Sequence, residues 1–280
     1  MNKKPLAIDL FCGLGGWSEA LLAEGWDVIG FDIEQHCYDD LHYPGQLVLQ
    51  DVLTLHGKQF ANADLIVASP PCQEYSYMAM PFSRGKQIEK ALLYGDDPFP
   101  ENYSGSRTIG ELNALFNACF RIQREASEAA GRRIPLIVEN VKGAQKWVGR
   151  ARWNYGSYYL WGNVPALMPM SKGIKNPGQN WSRFKETGEQ SPHWSVSGLK
   201  NTGGSWFSVA HNITSGCGNN PDGRKQGGDW FSDCSGGALR NYSSKSNKCK
   251  KASAMIAKIP FPLAQHIARV FYPNRFRATA

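Results

Sequence analysis

Leu6-Ala7-Ile8-Asp9-Leu10-Phe11-Cys12-Gly13-Leu14-Gly15-Gly16-Trp17 is the stretch whose reading decides the fold. Leu6–Leu10 is apolar except at Asp9 and reads as a short strand. The glycines after it read as a tight turn, and the pattern near Trp17–Glu24 as a helix. A strand that passes through a glycine-rich turn into a helix opens a βαβ unit. The rhythm continues along the chain. Asp27–Asp32 is a second strand, Leu47–Val52 a third and Asp64–Ser69 a fourth. Arg107–Gly131 is a long amphipathic helix, and Ile134–Glu139 is another strand, entered after Gly131-Arg132-Arg133. This alternation predicts an α/β fold with a doubly wound, mostly parallel sheet.

The texture changes near Asn163. Residues 163–250 are rich in Gly, Ser, Asn and Trp, with weak periodicity, and hold eleven Lys/Arg against five Asp/Glu. They carry +6 of the chain's net charge of +7. This is the pattern of an irregular second domain with an electropositive face, suited to a polyanion. Trp181, Trp194, Trp206 and Trp230 are expected to form its small core, in preference to base stacking. From Ala252 to Tyr272 helical periodicity returns, with Ile256, Ile259, Leu263, Ile267 and Val270 on the apolar side. That segment is expected to pack back on the first domain.

The length of 280 residues suits a large domain with a smaller one. At 42% hydrophobic and 20% charged residues the chain can bury a sizeable core. No stretch approaches the ~18 apolar residues that span a membrane. The seven cysteines are scattered, with no CxxC pair. Neither a disulfide framework nor a zinc or other metal site is expected, and a cytoplasmic setting fits.

Three strand ends carry candidate ligand groups. A glycine-rich first βα turn lets a ligand approach the backbone and a helix N-terminus. The second strand ends at Asp32, whose carboxylate can bond a ribose hydroxyl. The third ends at Asp51, a candidate acceptor for an adenine amino group. Together they predict a nucleoside cofactor. A fourth strand end carries a nucleophile. Asp64–Ala68 runs into Ser69-Pro70-Pro71-Cys72-Gln73, where each proline fixes its own φ and restrains the residue before it. Cys72 is thereby held at the sheet's C-terminal edge, where open α/β sheets do their chemistry.

Phe11-x-Gly13-x-Gly15, then Pro70-Pro71-Cys72-Gln73-x-Tyr75-Ser76, then Glu139-Asn140-Val141 follow the order and contexts of the DNA cytosine-5 methyltransferases, and the chain resembles that family. The resemblance covers residues 5–141 closely and 252–272 loosely. It implies a Rossmann-like catalytic, cofactor-binding domain at 1–162 plus 251–280, and a target-recognition domain at 163–250. It implies S-adenosylmethionine as cofactor, held by Phe11, Gly13, Gly15, Asp32, Ile33, Asp51, Pro70 and Lys258. It makes Cys72 the nucleophile that adds to cytosine C6, and Glu139 the carboxylate that bonds the base at N3 and N4. Asn140 orients the loop around Cys72. Double-stranded DNA is the implied partner, bound by a monomer that flips the target base. Gln73, Ser76, Arg84, Lys86, Arg150 and Arg152 are the expected DNA contacts, with residues 76–107 a mobile loop that closes over the base.

Two departures from the family pattern stand out. The family's Gln-x-Arg-x-Arg segment is replaced by Trp153–Gly162, which has no arginine. Arg150 or Arg152 are substitutes by position, with phosphate contact or plain solvation as the other reading. In the C-terminal cofactor motif, Lys258 stands where the family has an asparagine. Two cations at 4 Å repel by roughly 4 kcal/mol at an effective dielectric of 20, so this lysine opposes a sulfonium. It would attract a donor whose transferred carbon bears a carboxylate. Carboxy-S-adenosylmethionine is such a donor and would give 5-carboxymethylcytosine. If Lys258 instead points outward or meets an acid, methyl transfer follows.

Other readings are a catalytically weak or inactive DNA-binding protein, permitted by the missing arginines, and an RNA cytosine-5 methyltransferase. An amino-methyltransferase would favour an aromatic residue after the double proline, where this chain has Cys72. A thiol hydrolase lacks a histidine in a comparable sheet-edge motif.

Overall fold

The computed structural model describes residues 4–38, 40–73, 75, 109–156, 158–169, 250–251, 254 and 257–273. Ser76, Arg84, Lys86, the 76–107 loop and the four tryptophans of the basic stretch lie outside the described residues. The chain divides into two compact units. One takes Met1–Gln35, Tyr43–Pro169 and Ile259–Ala280, the other His36–His42 and Met170–Lys258. In the second, a short antiparallel ribbon pairs β3 (Cys37–Tyr38) with β4 (Leu41–His42).

The first unit is built on one sheet. Its strands are β1 (Leu6–Leu10), β2 (Asp27–Asp32), β5 (Gln46–Leu49), β6 (Leu65–Ala68), β7 (Leu136–Asn140), β8 (Trp153–Tyr155) and β9 (Tyr158–Gly162), in the order β5-β2-β1-β6-β7-β9-β8. The first five are parallel, and β9 runs antiparallel to both β7 and β8. Helices cover both faces, as the βα alternation predicts. β6, Leu-Ile-Val-Ala, is buried at all four residues, because a central parallel strand meets helices above and below.

The two faces can be told apart by residue parity on β1. Ile8 and Leu10 join Ile66, Val138, Phe116, Cys119 and Ile122 in the main core, beneath α3 (Ala114–Ala130). Asp9 points the other way and meets Ser18 of α1 (Gly16–Ala23). Against α1 packs the C-terminal α5 (Phe261–Val270). Ala268 O accepts from Trp26 Nε1 at 3.2 Å, and Glu24 Oε1 accepts from Gln265 Nε2 and Arg269 Nε at 2.8 Å each. Of the C-terminal segment, the part from Ile259 on belongs to the first unit, while residues up to Lys258 belong to the second.

Four boundaries differ from the sequence reading, each for a local reason. The third strand stops at Leu49, and Asp51 caps a 3-10 turn, Val52–Thr54, by accepting from Leu53 N at 2.9 Å. A short acidic side chain that can bond its own backbone competes with the sheet ladder. The long helix is split at Asn113 into α2 (Ile109–Leu112) and α3. Asn113 is buried; it accepts from Tyr75 OH at 2.9 Å and donates to Trp147 O at 3.1 Å. β7 starts after Pro135 and runs on to Asn140. The last helical segment is interrupted before Pro260. Residues 250, 251, 254 and 257 are helical in the second unit, and α5 begins at Phe261 with Pro262 in its first turn.

Candidate active site

The parallel strands deliver the sequence candidates to one edge, in the order Asp51, Asp32, Gly13, Cys72, Glu139. At the end of β1 the turn is built from left-handed residues. Phe11 has φ +57, the one positive-φ non-glycine among the described residues, and Gly13 and Gly15 have φ +50 and +75. Backbone in this region is costly for a bulky side chain and marks a constrained, often functional, site. Asp32 closes the turn: its Oδ2 accepts from Gly13 N at 2.9 Å and its Oδ1 from Ile33 N at 2.8 Å. Ile33 beside it is 74% exposed. A Cβ on Gly13 would meet nothing within 4 Å, so this glycine fronts open space. Gly15 is different, since a Cβ there would run into the Pro44 ring. Gly15 caps α1 with no side-chain cap, which leaves the helix N-terminus available to a ligand.

At the next strand end, Ser69 N donates to Leu10 O at 3.1 Å, after which the two prolines carry the chain to Cys72. Pro70 is buried, Cys72 half-buried and Gln73 exposed. Tyr75 N donates to Cys72 O at 3.0 Å, and Tyr75 OH reaches Leu112 O at 3.1 Å as well as Asn113. From β7, Asn140 Nδ2 donates to Pro70 O at 2.9 Å, while Asn140 Oδ1 accepts from Val141 N at 2.8 Å. The register pairs Ala68 with Val138. Cys72, four residues past Ala68, and Glu139, one past Val138, thus leave neighbouring strand ends. Glu139 is buried, at 5% exposure.

Tyr158 comes to the same face. Glu139 stands opposite Leu160 across the β7–β9 ladder, and Tyr158 is two residues before it. Cross-strand diagonal neighbours are within reach of an aromatic side chain. Burial raises the Tyr158 phenol well above its ordinary value, and the Glu139 charge adds to the rise. Arg150 and Arg152 lie exposed between α4 (Gln145–Val148) and β8. Lys258 is half-buried in the second unit.

Sequence reasoning passed over a buried polar group on β1. Asp9 is 1% exposed; its Oδ2 accepts from Ser18 Oγ at 2.6 Å, and Ser18 Oγ lies 2.7 Å from Tyr43 OH. Oδ1 has no hydrogen-bond partner among the described residues. A lone acid in an apolar strand was the available signal. Burial, opposed by the Ser18 bond and aided by the Asp32 charge, pushes the Asp9 carboxyl up to about 7 from an ordinary value of 3.8. The folded protein holds this proton between those values while the unfolded chain has released it, so the Asp9 contribution to stability falls as pH rises from about 4 to about 7. Asp9→Asn removes the titration and is expected to flatten that slope. Urea unfolding at pH 5 and pH 8 measures it. The wild-type loss, relative to the variant, should reach at most about 4 kcal/mol over the full interval. Equal pH dependence in both proteins would refute it.

Residues 6–91 match the model of the C-5 cytosine-specific DNA methylases. The matched segment takes in the glycine turn, Asp32, Asp51 and Cys72, and stops short of Glu139. No curated protein matches the chain. Among solved structures, it is similar to a prophage-encoded Escherichia coli protein described as a DNA modification methyltransferase, at 22% identity and a TM-score of 0.31. That alignment covers 50% of this chain and 33% of the other, so this chain spans about a third of that relative's length. The Dnmt2 methyltransferase of Schizosaccharomyces pombe aligns over 98% of this chain and 100% of its own, at 12% identity and a TM-score of 0.44. The methyltransferase EhMeth of Entamoeba histolytica aligns over 96% and 98%, at 13% identity and a TM-score of 0.41. The likeness to the C-5 cytosine-specific DNA methylases thus rests on residues 6–91, about a third of the chain.

Proposed function

We propose that this protein transfers a methyl group to C5 of a cytosine flipped out of double-stranded DNA, with Cys72 as the covalent nucleophile. The observation that carries the reading is the arrival of Cys72 and Glu139 at adjacent strand ends beside the glycine turn. Cytosine C5 is a poor nucleophile. The Cys72 thiolate adds at C6, and the electron pair moves to C5 as an enamine. Glu139, buried and facing the ring, hydrogen-bonds N3 and the amino group and steadies the charge that develops there. Asn140 holds Pro70 and so fixes the turn that aims Cys72. After transfer, loss of the C5 proton and expulsion of Cys72 restore the aromatic ring.

The residues of the first two strand ends fit S-adenosylmethionine. Gly13 fronts open space, the α1 N-terminus is uncapped, and Asp32 and exposed Ile33 can take a ribose and an adenine edge. Asp51 would accept from the adenine amino group. When bound, S-adenosylmethionine supplies an electrophilic methyl on a sulfonium. Gln73, Ser76, Arg84, Lys86, Arg150, Arg152 and the +6 stretch at 163–250 would contact DNA phosphates.

Carboxy-S-adenosylmethionine is the second candidate donor, on the sequence argument given above for Lys258. Mass analysis of nucleosides after incubation with each donor, on DNA and on RNA, decides between them. The expected product is 5-methylcytosine in DNA. A 5-carboxymethyl product, lost in Lys258→Asn, would establish the second donor. Absence of any modified cytosine on either polymer overturns the enzymatic reading and leaves a DNA-binding protein.

A further inference from the structure

We infer that Trp17 is a positioning residue that couples the cofactor cradle to the cysteine turn through Ser69. This rests on the proposed function for its purpose, though the contact itself does not. Trp17 lies in the first turn of α1, one residue past Gly16, and is 2% exposed. A buried indole N–H needs an acceptor. Trp17 Nε1 donates to Ser69 Oγ at 3.0 Å.

Ser69 is the last residue before Pro70-Pro71-Cys72, and its own N–H goes to Leu10 O at 3.1 Å. The prolines that follow have no N–H, so the turn cannot anchor itself through main-chain donors at 70 and 71. It is fixed by side chains at its two ends. Asn140 holds Pro70 O from the Glu139 side at 2.9 Å. Trp17 holds Ser69 from the side of the glycine turn. The helix that bears Trp17 follows directly on the turn at Gly13, which fronts open space, so a change in the set of that helix when the turn is occupied is transmitted to Ser69 by one directional bond.

Phenylalanine keeps most of the ring volume of Trp17 and donates nothing. Trp17→Phe, Ser69→Ala and the double variant, each in the full chain, test the coupling. The first readout is the alkylation rate of Cys72 by iodoacetamide, followed at the Cys72 peptide by mass spectrometry, with and without S-adenosylhomocysteine. The wild type is expected to change rate by about threefold or more when that ligand binds, and each variant by less than half as much. Simple shielding of the thiol would persist in the variants, so an equal ligand effect in all four proteins overturns the inference, as does no effect in the wild type.

The second readout is turnover. Both single variants should lose up to about tenfold in kcat with the cofactor KM held within about twofold, and the double variant should be no worse than either. Additive losses, or losses that track the fall in Tm, would mean a packing role only. If the wild type transfers nothing, the proposed function fails, and the alkylation experiment still decides the coupling.

Discussion

Cys72→Ala is expected to lower cytosine modification by at least about 10⁴-fold, because it removes the bond that makes C5 reactive and leaves no alternative route. Little else should change. Cys72 is half-buried at a strand end, so truncation leaves no internal cavity, and stability should hold within about 1 kcal/mol. Cofactor affinity should hold within about threefold, since Gly13, Asp32 and Ile33 belong to other strand ends. Cys72→Ser should fare no better, because a hydroxyl is far harder to ionise than a thiol. Two measurements separate chemistry from binding. DNA containing 5-fluorocytosine, incubated with cofactor, should form a denaturation-resistant adduct with the wild type and none with Cys72→Ala. Calorimetry with S-adenosylhomocysteine should give similar affinities for both. A variant that keeps more than a tenth of the wild-type rate would sink the thiol mechanism.

Gly16→Ala should be strongly destabilising. A Cβ at position 16 would come closer than 3.0 Å to the main-chain nitrogen of Ile259, and to 3.1 Å from its Cα and Cβ. Main-chain atoms cannot rotate aside as a flexible side chain can. Either α1 tilts off the sheet or the Ile259–Pro260 approach to α5 withdraws. Each course loosens the Trp26–Ala268 bond and the Glu24–Arg269 pair. Overpacking of this kind costs about 3 kcal/mol or more, which for a unit of this size lowers Tm by roughly 6–12 °C. Calorimetry of purified wild type and variant checks it; a shift under about 2 °C would mean that the two helices part without cost.

Gly16 also shows where the sequence is ambiguous. Every glycine of the 13–16 turn reads alike on the page, as room for a ligand. Space distinguishes them: Gly13 faces an opening, Gly15 the Pro44 ring, Gly16 the backbone of a residue 243 positions on. No local pattern announces that last neighbour. Strand periodicity was legible because each central strand is buried on both faces, and that burial selects unbroken apolar runs. Asp51 was read as the end of a strand that stops at Leu49, and Asn113 as interior to one helix, since their side chains bond backbone or a distant tyrosine that composition does not reveal. The turns that carry the catalytic candidates were legible because proline fixes φ and glycine admits positive φ wherever they occur. Trp17 and Asp9 were not, because a buried tryptophan and a lone acid gain their meaning only from Ser69 and Ser18 across the fold.

The seating of α5 on α1 has a temporal consequence. Trp26 and Ala268 are 242 residues apart, so during synthesis the first helix would emerge from the ribosome long before its cover exists. At ordinary translation speeds of roughly 5–20 residues per second, that interval lasts about 12–50 seconds. Over this span Trp26 lacks its final partners, and a nascent chain cut short before residue 260 would expose it to chaperones and proteases.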